Sequence, residues 1–266
     1  MASSTLSAVA RCQCEARKAG GRRKRGENCG VRVAVFFTPP AHHPLTATAA
    51  NWLMRDAFSG ESFAAMAGDG FDAEALTVLT AEPRRYGFHA TMKPPFRLAG
   101  GTSLADAETL LAEFCREALP CSLPMPRIAT LGPFFALVPG APAGEVDDLA
   151  ARVVKAFDPL RAPPDAAELE RRRRSGLTPS QEANLSAWGY PYVLNEFRFH
   201  MTLTGPVPIE QQPAMAELLR RRFEPLPQTL AIESLALFVE DEPGHSFRVH
   251  AEHGLGGAVR PRGPEG

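Results

Sequence analysis

Long hydrophobic runs are missing from this chain. The longest, such as Val33 to Phe37 and Leu235 to Val239, fall far short of the roughly 20 residues a membrane-crossing helix needs and read as buried strands. An excess of charge of one sign is missing too. Lysine and arginine number 29 against 30 aspartates and glutamates, so no global positive field marks a nucleic-acid binder and any phosphate affinity has to be local. Cysteine is scarce: Cys12, Cys14 and Cys29 lie in an atypical first segment, leaving Cys115 and Cys121 in the body. That argues against a disulfide framework and for a reducing, cytoplasmic setting. Cys12-x-Cys14 lacks the spacing of a zinc knuckle or thioredoxin-type motif and has no histidine near it, so no metal is expected there.

Residues 1–30 are rich in Ser, Ala, Gly, Arg and Lys, poor in acids, and include Gly21-Arg22-Arg23-Lys24-Arg25-Gly26. They are expected to be a disordered basic extension. A start assigned too far upstream is preferred over an arm touching nucleic acid or a transit-like peptide, because a strand pattern begins directly afterwards at Val31. The remaining length suits one large domain or two small lobes.

Strand and helix patterns then alternate. Val31 to Phe37 reads as a strand, Leu45 to Phe58 as a helix, and a Gly-rich stretch follows. Ser103 to Ala118 carries a capping-box spacing at Ser103 and Asp106, with Leu104, Ala107, Leu110, Leu111 and Phe114 on one stripe. Phe134 to Val138 is a strand and Val146 to Phe157 an amphipathic helix. About 159–179 the chain is polar and holds Arg171-Arg172-Arg173-Arg174, read as a solvated linker or charged helix end in preference to an RNA-binding patch. Thr178-Pro179-Ser180-Gln181 opens a helix leading to Trp188. Strands at Tyr192 to Thr204, Ser234 to Val239 and Phe247 to Glu252, with a helix from about Glu210 to Phe223, complete an α+β fold of two similar halves over 31–253. Residues 254–266 are expected to be a disordered tail.

Two segments resemble each other. Arg85-Tyr86-Gly87-Phe88-His89-Ala90-Thr91-Met92-Lys93-Pro94 and Glu196-Phe197-Arg198-Phe199-His200-Met201-Thr202-Leu203-Thr204-Gly205-Pro206 both read Phe-His-x-Thr and then meet a proline. A lone His-x-Thr is more often a satisfied core histidine, but duplication reverses that preference. In a strand, His89 and Thr91 share one face while Phe88, Ala90 and Met92 take the other; His200 and Thr202 behave likewise. Extending the alternation sets Arg85 and Lys93 beside His89, and Glu196, Arg198 and Thr204 beside His200. Rows facing each other across two lobes would form a polar, partly cationic cleft.

That inventory suits a phosphodiester. One neutral imidazole takes a proton from water and a second, protonated one gives a proton to the leaving oxygen. Threonine hydroxyls serve the non-bridging oxygens, and Lys93 or Arg198 offsets charge in the transition state. No cofactor is required, and apart from Glu196 no further ligand-type residue accompanies either motif, so zinc is disfavoured. His42, His43, His245, His250 and His253 fall in turns or at the end of the last strand, where solvent exposure is expected.

At these residues the chain resembles the two-histidine (2H) phosphoesterase superfamily. Val33 to Pro40, Arg85 to Phe96, Trp188 to Val193 and Phe197 to Thr202 look like the branch associated with bacterial phosphonate-utilisation operons. The resemblance implies catalytic His89 and His200. Thr91, Thr202, Lys93, Arg198, Arg85 and Tyr86 become substrate-phosphate candidates. It also implies a two-lobed, pseudo-symmetric fold with antiparallel sheets around a central cleft and helices outside. The implied substrate is a small phosphorylated sugar cyclic phosphate. One departure is that Pro206 stands where the branch carries an arginine after the second Thr-Gly. Rival readings are an RNA-end 2′,3′-cyclic phosphodiesterase or ligase-like enzyme, and a non-catalytic RNA-binding module. Near-neutral charge disfavours the last of these.

Overall fold

Val33, Val35 and Phe37 alternate with Ala34 and Phe36 along the first strand, and all five are 0% exposed, so this strand is buried on both faces. The computed structural model describes residues 31–257 apart from 66 and 69. In chain order the elements are β1 (Arg32–Phe37), α1 (Pro44–Trp52), α2 (Ala73–Leu79), α3 (Ala81–Tyr86), β2 (Ala90–Arg97), α4 (Leu104–Glu117), β3 (Cys121–Pro124), β4 (Arg127–Leu131) and β5 (Phe134–Val138). They continue with α5 (Gly144–Phe157), α6 (Ala166–Arg173), α7 (Pro179–Trp188), β6 (Met201–Thr202), α8 (Gln212–Phe223), β7 (Thr229–Ile232), β8 (Ser234–Glu240) and β9 (Arg248–Gly254).

Seven strands form one sheet in the order β4-β5-β6-β2-β1-β8-β9, antiparallel throughout, and β3 pairs with β7 separately. The two expected halves meet at a single pair, Ala90 with Met201. Register repeats about that point: Phe37 and Phe36 pair with Ala90 and Thr91, as Leu137 and Ala136 pair with Met201 and Thr202. The histidine rows therefore lie side by side on neighbouring strands, where facing lobes were expected.

One face of the sheet packs on α1, α4, α5 and α8 through the main core, which includes Val35, Ala90, Leu111, Val153, Met201, Leu218 and Leu237. Burying each of these side chains larger than alanine contributes on the order of 1.5–3 kcal/mol. The other face carries a smaller cluster of Ala34, Phe36, Ala57, Ala236, Phe238 and Phe247. Both predicted capping boxes form, Ser103 with Asp106 on α4 and Thr178 with Gln181 on α7.

Several boundaries differ from the pattern. The first helix stops at Trp52, and α2 and α3, which the pattern did not mark, follow the Gly-rich stretch. Between Tyr192 and Thr204 only Met201–Thr202 is strand, because Leu194–Glu196 makes a 3-10 turn. The polar segment about 159–179 contains α6, and Arg172, Arg173 and the capping Arg174 at its end pair with Glu168, Glu182 and Glu170. The chain stays packed past 254: Leu255 is 1% exposed and its amide donates to Glu233 O. The calls for 1–30 and 258–266 lie outside the described residues. No helix among the described residues is long and apolar enough to cross a membrane.

Candidate active site

A glycine turn delivers the first histidine. Gly87 ends α3 with φ 79°, and a Cβ there would lie 2.5 Å from Ala57 Cβ, so only glycine fits. The turn brings Gly87 O to His89 Nδ1 at 2.9 Å. In the second motif Arg198 O meets His200 Nδ1 at 2.8 Å. A carbonyl can only accept, so each Nδ1 donates and each Nε2 is left for chemistry. Thr91 Oγ1 lies 3.3 Å from His89 Nε2.

The pair Ala90–Met201 then sets the layout. Counting outward along the antiparallel ladder, His89 falls opposite Thr202 and Thr91 opposite His200, all on the face away from the main core. Thr91 thus lies across from His200 while its hydroxyl reaches His89 of its own motif, and Thr202 lies across from His89. Two cavities record the same crossing. One of about 560 Å³ is lined by His200, Thr91, Arg198, Tyr190 and Tyr192, and another of about 270 Å³ by His89, Thr202, Tyr86 and Pro206. Phe134 borders both.

The imidazoles are not equivalent. Burial pushes the His89 pKa down to about 4; the bond to Gly87 O opposes this and the nearby His200 adds to it. His89 stacks on Phe36 with centroids 3.9 Å apart and lies 5.8 Å from the Tyr86 ring. His89 is therefore neutral near pH 7, with a lone pair on Nε2.

Two of the phosphate candidates are placed elsewhere. Val35 pairs with Lys93 but Phe36 pairs with Thr91, so Met92 is an extra residue in β2, and a second irregularity falls at Pro94-Pro95. The bulge turns Lys93 onto the main-core face, opposite Val35. There it is 1% exposed and donates to Asp158 Oδ1 at 2.9 Å. Arg85 sits on α3, not on a strand, and is paired with the fully buried Glu240. Tyr86, also on α3, stacks on Phe247 at 5.1 Å and does border the His89 cavity. Arg198 is exposed at the rim of the His200 cavity.

Phe36, Phe134, Tyr190 and Tyr192 shape the site but had no role assigned from sequence, although all but Phe134 lie in the quoted resemblance segments. Glu196 accepts from Gln181 at 3.0 Å, and no cluster of three or more metal-ligand side chains occurs among the described residues. Of the histidines set aside, His43 caps α1 and His250 pairs with Glu108 at 3.2 Å. His250 and His253 are half-buried, and His253 Nε2 is covered, so the expected solvent exposure is only partial at the end of β9.

Residues 91–248, from Thr91 through the whole second motif, match the family described as "Protein of unknown function (DUF1045)". The chain belongs to the DUF1045 family. A "Ribose 1,5-bisphosphate phosphokinase PhnN" of Janthinobacterium sp. (strain Marseille) is 37% identical to this DUF1045 chain over 223 residues, 82% of the chain and 49% of the relative. The protein of that name from Laribacter hongkongensis (strain HLHK9) is 35% identical over 221 residues, 82% and 50% of the two. The chain spans about half the length of these curated relatives. Among solved structures, E. coli LigT complexed with 3′-AMP is 13% identical with a TM-score of 0.39, covering 85% of this chain and 98% of that one. TT0787 of Thermus thermophilus is 14% identical with a TM-score of 0.39, covering 86% and 100%. At such scores the fold of the DUF1045 chain is read from its own strands and register.

Proposed function

We propose that this chain is a phosphoesterase that opens a small cyclic phosphodiester with two histidines and no metal. The observation that carries the reading is the crossed arrangement about Ala90–Met201, in which two Nε2 atoms and two hydroxyls share one sheet face.

His89, neutral at working pH, takes a proton from water through Nε2 as the water oxygen bonds to phosphorus. The bond from phosphorus to one ring oxygen breaks, and His200 Nε2 gives that oxygen a proton. The product is a phosphomonoester with a free hydroxyl. Thr91 and Thr202 donate to the non-bridging oxygens. Proton transfer of this kind contributes typically ~10²–10⁴-fold.

The residues lining the His89 cavity include Glu82 and Pro206 but no lysine or arginine, whereas Arg198 borders the His200 cavity. A second phosphate on the substrate is therefore held at Arg198, which favours a phosphorylated sugar cyclic phosphate. The relatives' name, with its ribose bisphosphate, supports a sugar-phosphate context. The kinase activity in that name is the relatives' own, and this chain spans about half of their length.

The test is phosphate-ester opening across a panel of cyclic phosphodiesters, before and after exhaustive chelation. A phosphorylated ribose cyclic phosphate is expected to show the higher kcat/KM, unchanged by chelation. An equal or higher value for an RNA end with a 2′,3′-cyclic phosphate would replace this substrate assignment with RNA processing.

A further inference from the structure

Lys93, excluded from the cleft by the β2 bulge, heads an ion network of which it is the buried member. Its Nζ donates to Asp158 Oδ1 at 2.9 Å and to Val154 O, in the last turn of α5, at 3.3 Å. Arg161 completes the set, with Nε 2.8 Å from Asp158 Oδ1 and Nη2 3.3 Å from Oδ2. Lys93 is 1% exposed, so burial lowers its pKa while Asp158 raises it. Burial works against ionised Asp158 as well, but Arg161 and Lys93 hold its carboxyl below the usual range. Taking these charges out of water is costly, and their mutual attraction returns little net stability. What such a network can supply is a defined geometry.

The geometry it defines reaches the cleft. Arg161 Nη2 donates to Ala187 O in the last turn of α7 at 3.2 Å. The guanidinium then packs against Gly189, the left-handed residue that ends α7 with φ 74°; a Cβ there would meet Arg161 Nη1 at 2.9 Å. Directly after Gly189 come Tyr190, Pro191 and Tyr192, and the two tyrosine rings wall the His200 cavity. Asn184 on the same helix donates to Pro191 O at 3.3 Å and Val193 O at 2.9 Å, which fixes the wall from behind. From the other side Arg172 lies 4.7 Å over the Tyr190 ring and is tethered to Glu168 at 2.9 Å. Lys93 itself is on β2, two residues past Thr91.

We infer that the Lys93–Asp158–Arg161 network is a positioning device that sets the Tyr190–Tyr192 wall of the substrate cavity against the strand carrying the first histidine motif. The inference rests on the hydrolytic reading above for its kinetic consequence, but not for its structural one. The network does not touch Gly87 or the Arg198 carbonyl, so the two imidazoles keep their orientation without it. Its loss moves the wall and leaves the proton-transfer groups in place.

The test uses the full chain with Lys93→Met, Asp158→Asn and Arg161→Met, singly and in pairs. Misplacement of a substrate wall raises KM by about 10-fold or more, while kcat stays within about twofold and the acidic limb of the pH profile does not move. Double variants are expected to lose no more than single ones, as members of one network do. Hydrogen exchange of the 187–193 amides needs no substrate and is expected to quicken in all three variants. Arg161 and Asp158 are partly exposed, so their variants carry the test if Lys93→Met does not fold. A rise in KM confined to Lys93→Met and absent from the Asp158 and Arg161 variants would return Lys93 to the substrate and overturn the inference. Unchanged exchange at 187–193 in the Asp158 and Arg161 variants would overturn it as well. If the wild-type chain opens no cyclic phosphodiester, the hydrolytic reading fails and the exchange data still decide the network.

Discussion

His89 and Phe36 lie face to face, with ring centroids 3.9 Å apart and planes 28° apart, on the sheet face away from the main core. Phe36 belongs to the smaller apolar cluster, so the imidazole rests on a dry surface that disfavours its charged form. The acidic limb of kcat/KM is therefore expected near pH 4, the value to which burial pushes His89, and not near the ordinary 6.5. Phe36→Leu thins the apolar support and should move the limb upward. A limb near 6.5 in the wild type would remove His89 as the base.

The same shift makes stability depend on pH. The unfolded chain's histidine takes up a proton below about 6.5, while folded His89 does so only near 4, so the unfolded state binds more protons between these values. Its contribution is fully present above 6.5 and is lost as pH falls toward 4. Melting temperatures of wild type and His89→Gln at pH 7 and pH 4.5 isolate it, the variant being expected to lose less on acidification. Parallel losses would show that His89 is not held neutral.

Removing either imidazole removes one proton-transfer partner. His89→Ala and His200→Ala should each lower kcat by ~10²-fold or more with the fold retained by circular dichroism. Thr91→Val and Thr202→Val each delete one donor to the reacting group, with an expected loss of about 10²–10³-fold in kcat. Because each threonine lies opposite the other motif's histidine, Thr91→Val combined with His200→Ala should be less than additive. Full additivity would contradict the crossed layout.

Two arginines that look equivalent in sequence should separate cleanly. Arg198→Ala is expected to raise KM chiefly for a doubly phosphorylated substrate, since Arg198 borders the His200 cavity. Arg85→Ala instead strips the fully buried Glu240 of a partner and should cost about 1–3 kcal/mol in a denaturant melt, with KM little changed. The reverse assignment of effects would put Arg85 in the site.

Much of the chain was legible because the deciding physics is local. Ser103 with Asp106 and Thr178 with Gln181 satisfy helix-end amides within three residues, so these starts stand wherever the helices pack. The strands of β1, β5 and β8 are short apolar runs with no other way to be buried. The two Phe-His-x-Thr motifs declare themselves by repetition, and the alternation from histidine to threonine holds because it spans only two residues.

Longer extrapolation along a strand failed where one residue changed the face. Lys93 is two positions past Thr91, yet Met92 is an extra residue against β1, and the Pro94-Pro95 pair that follows cannot keep a regular ladder, so the lysine turns inward to Asp158. Arg85 failed for the opposite reason, since α3 ends at the Gly87 turn and the strand does not reach back to it. Residue identity by itself determined which groups are able to move a proton and which segments are able to bury their backbone. Which threonine lies across from which histidine, the neutrality of His89 and which cations reach the cleft were decided only by register and burial, because those properties belong to pairs of residues that are far apart in the chain.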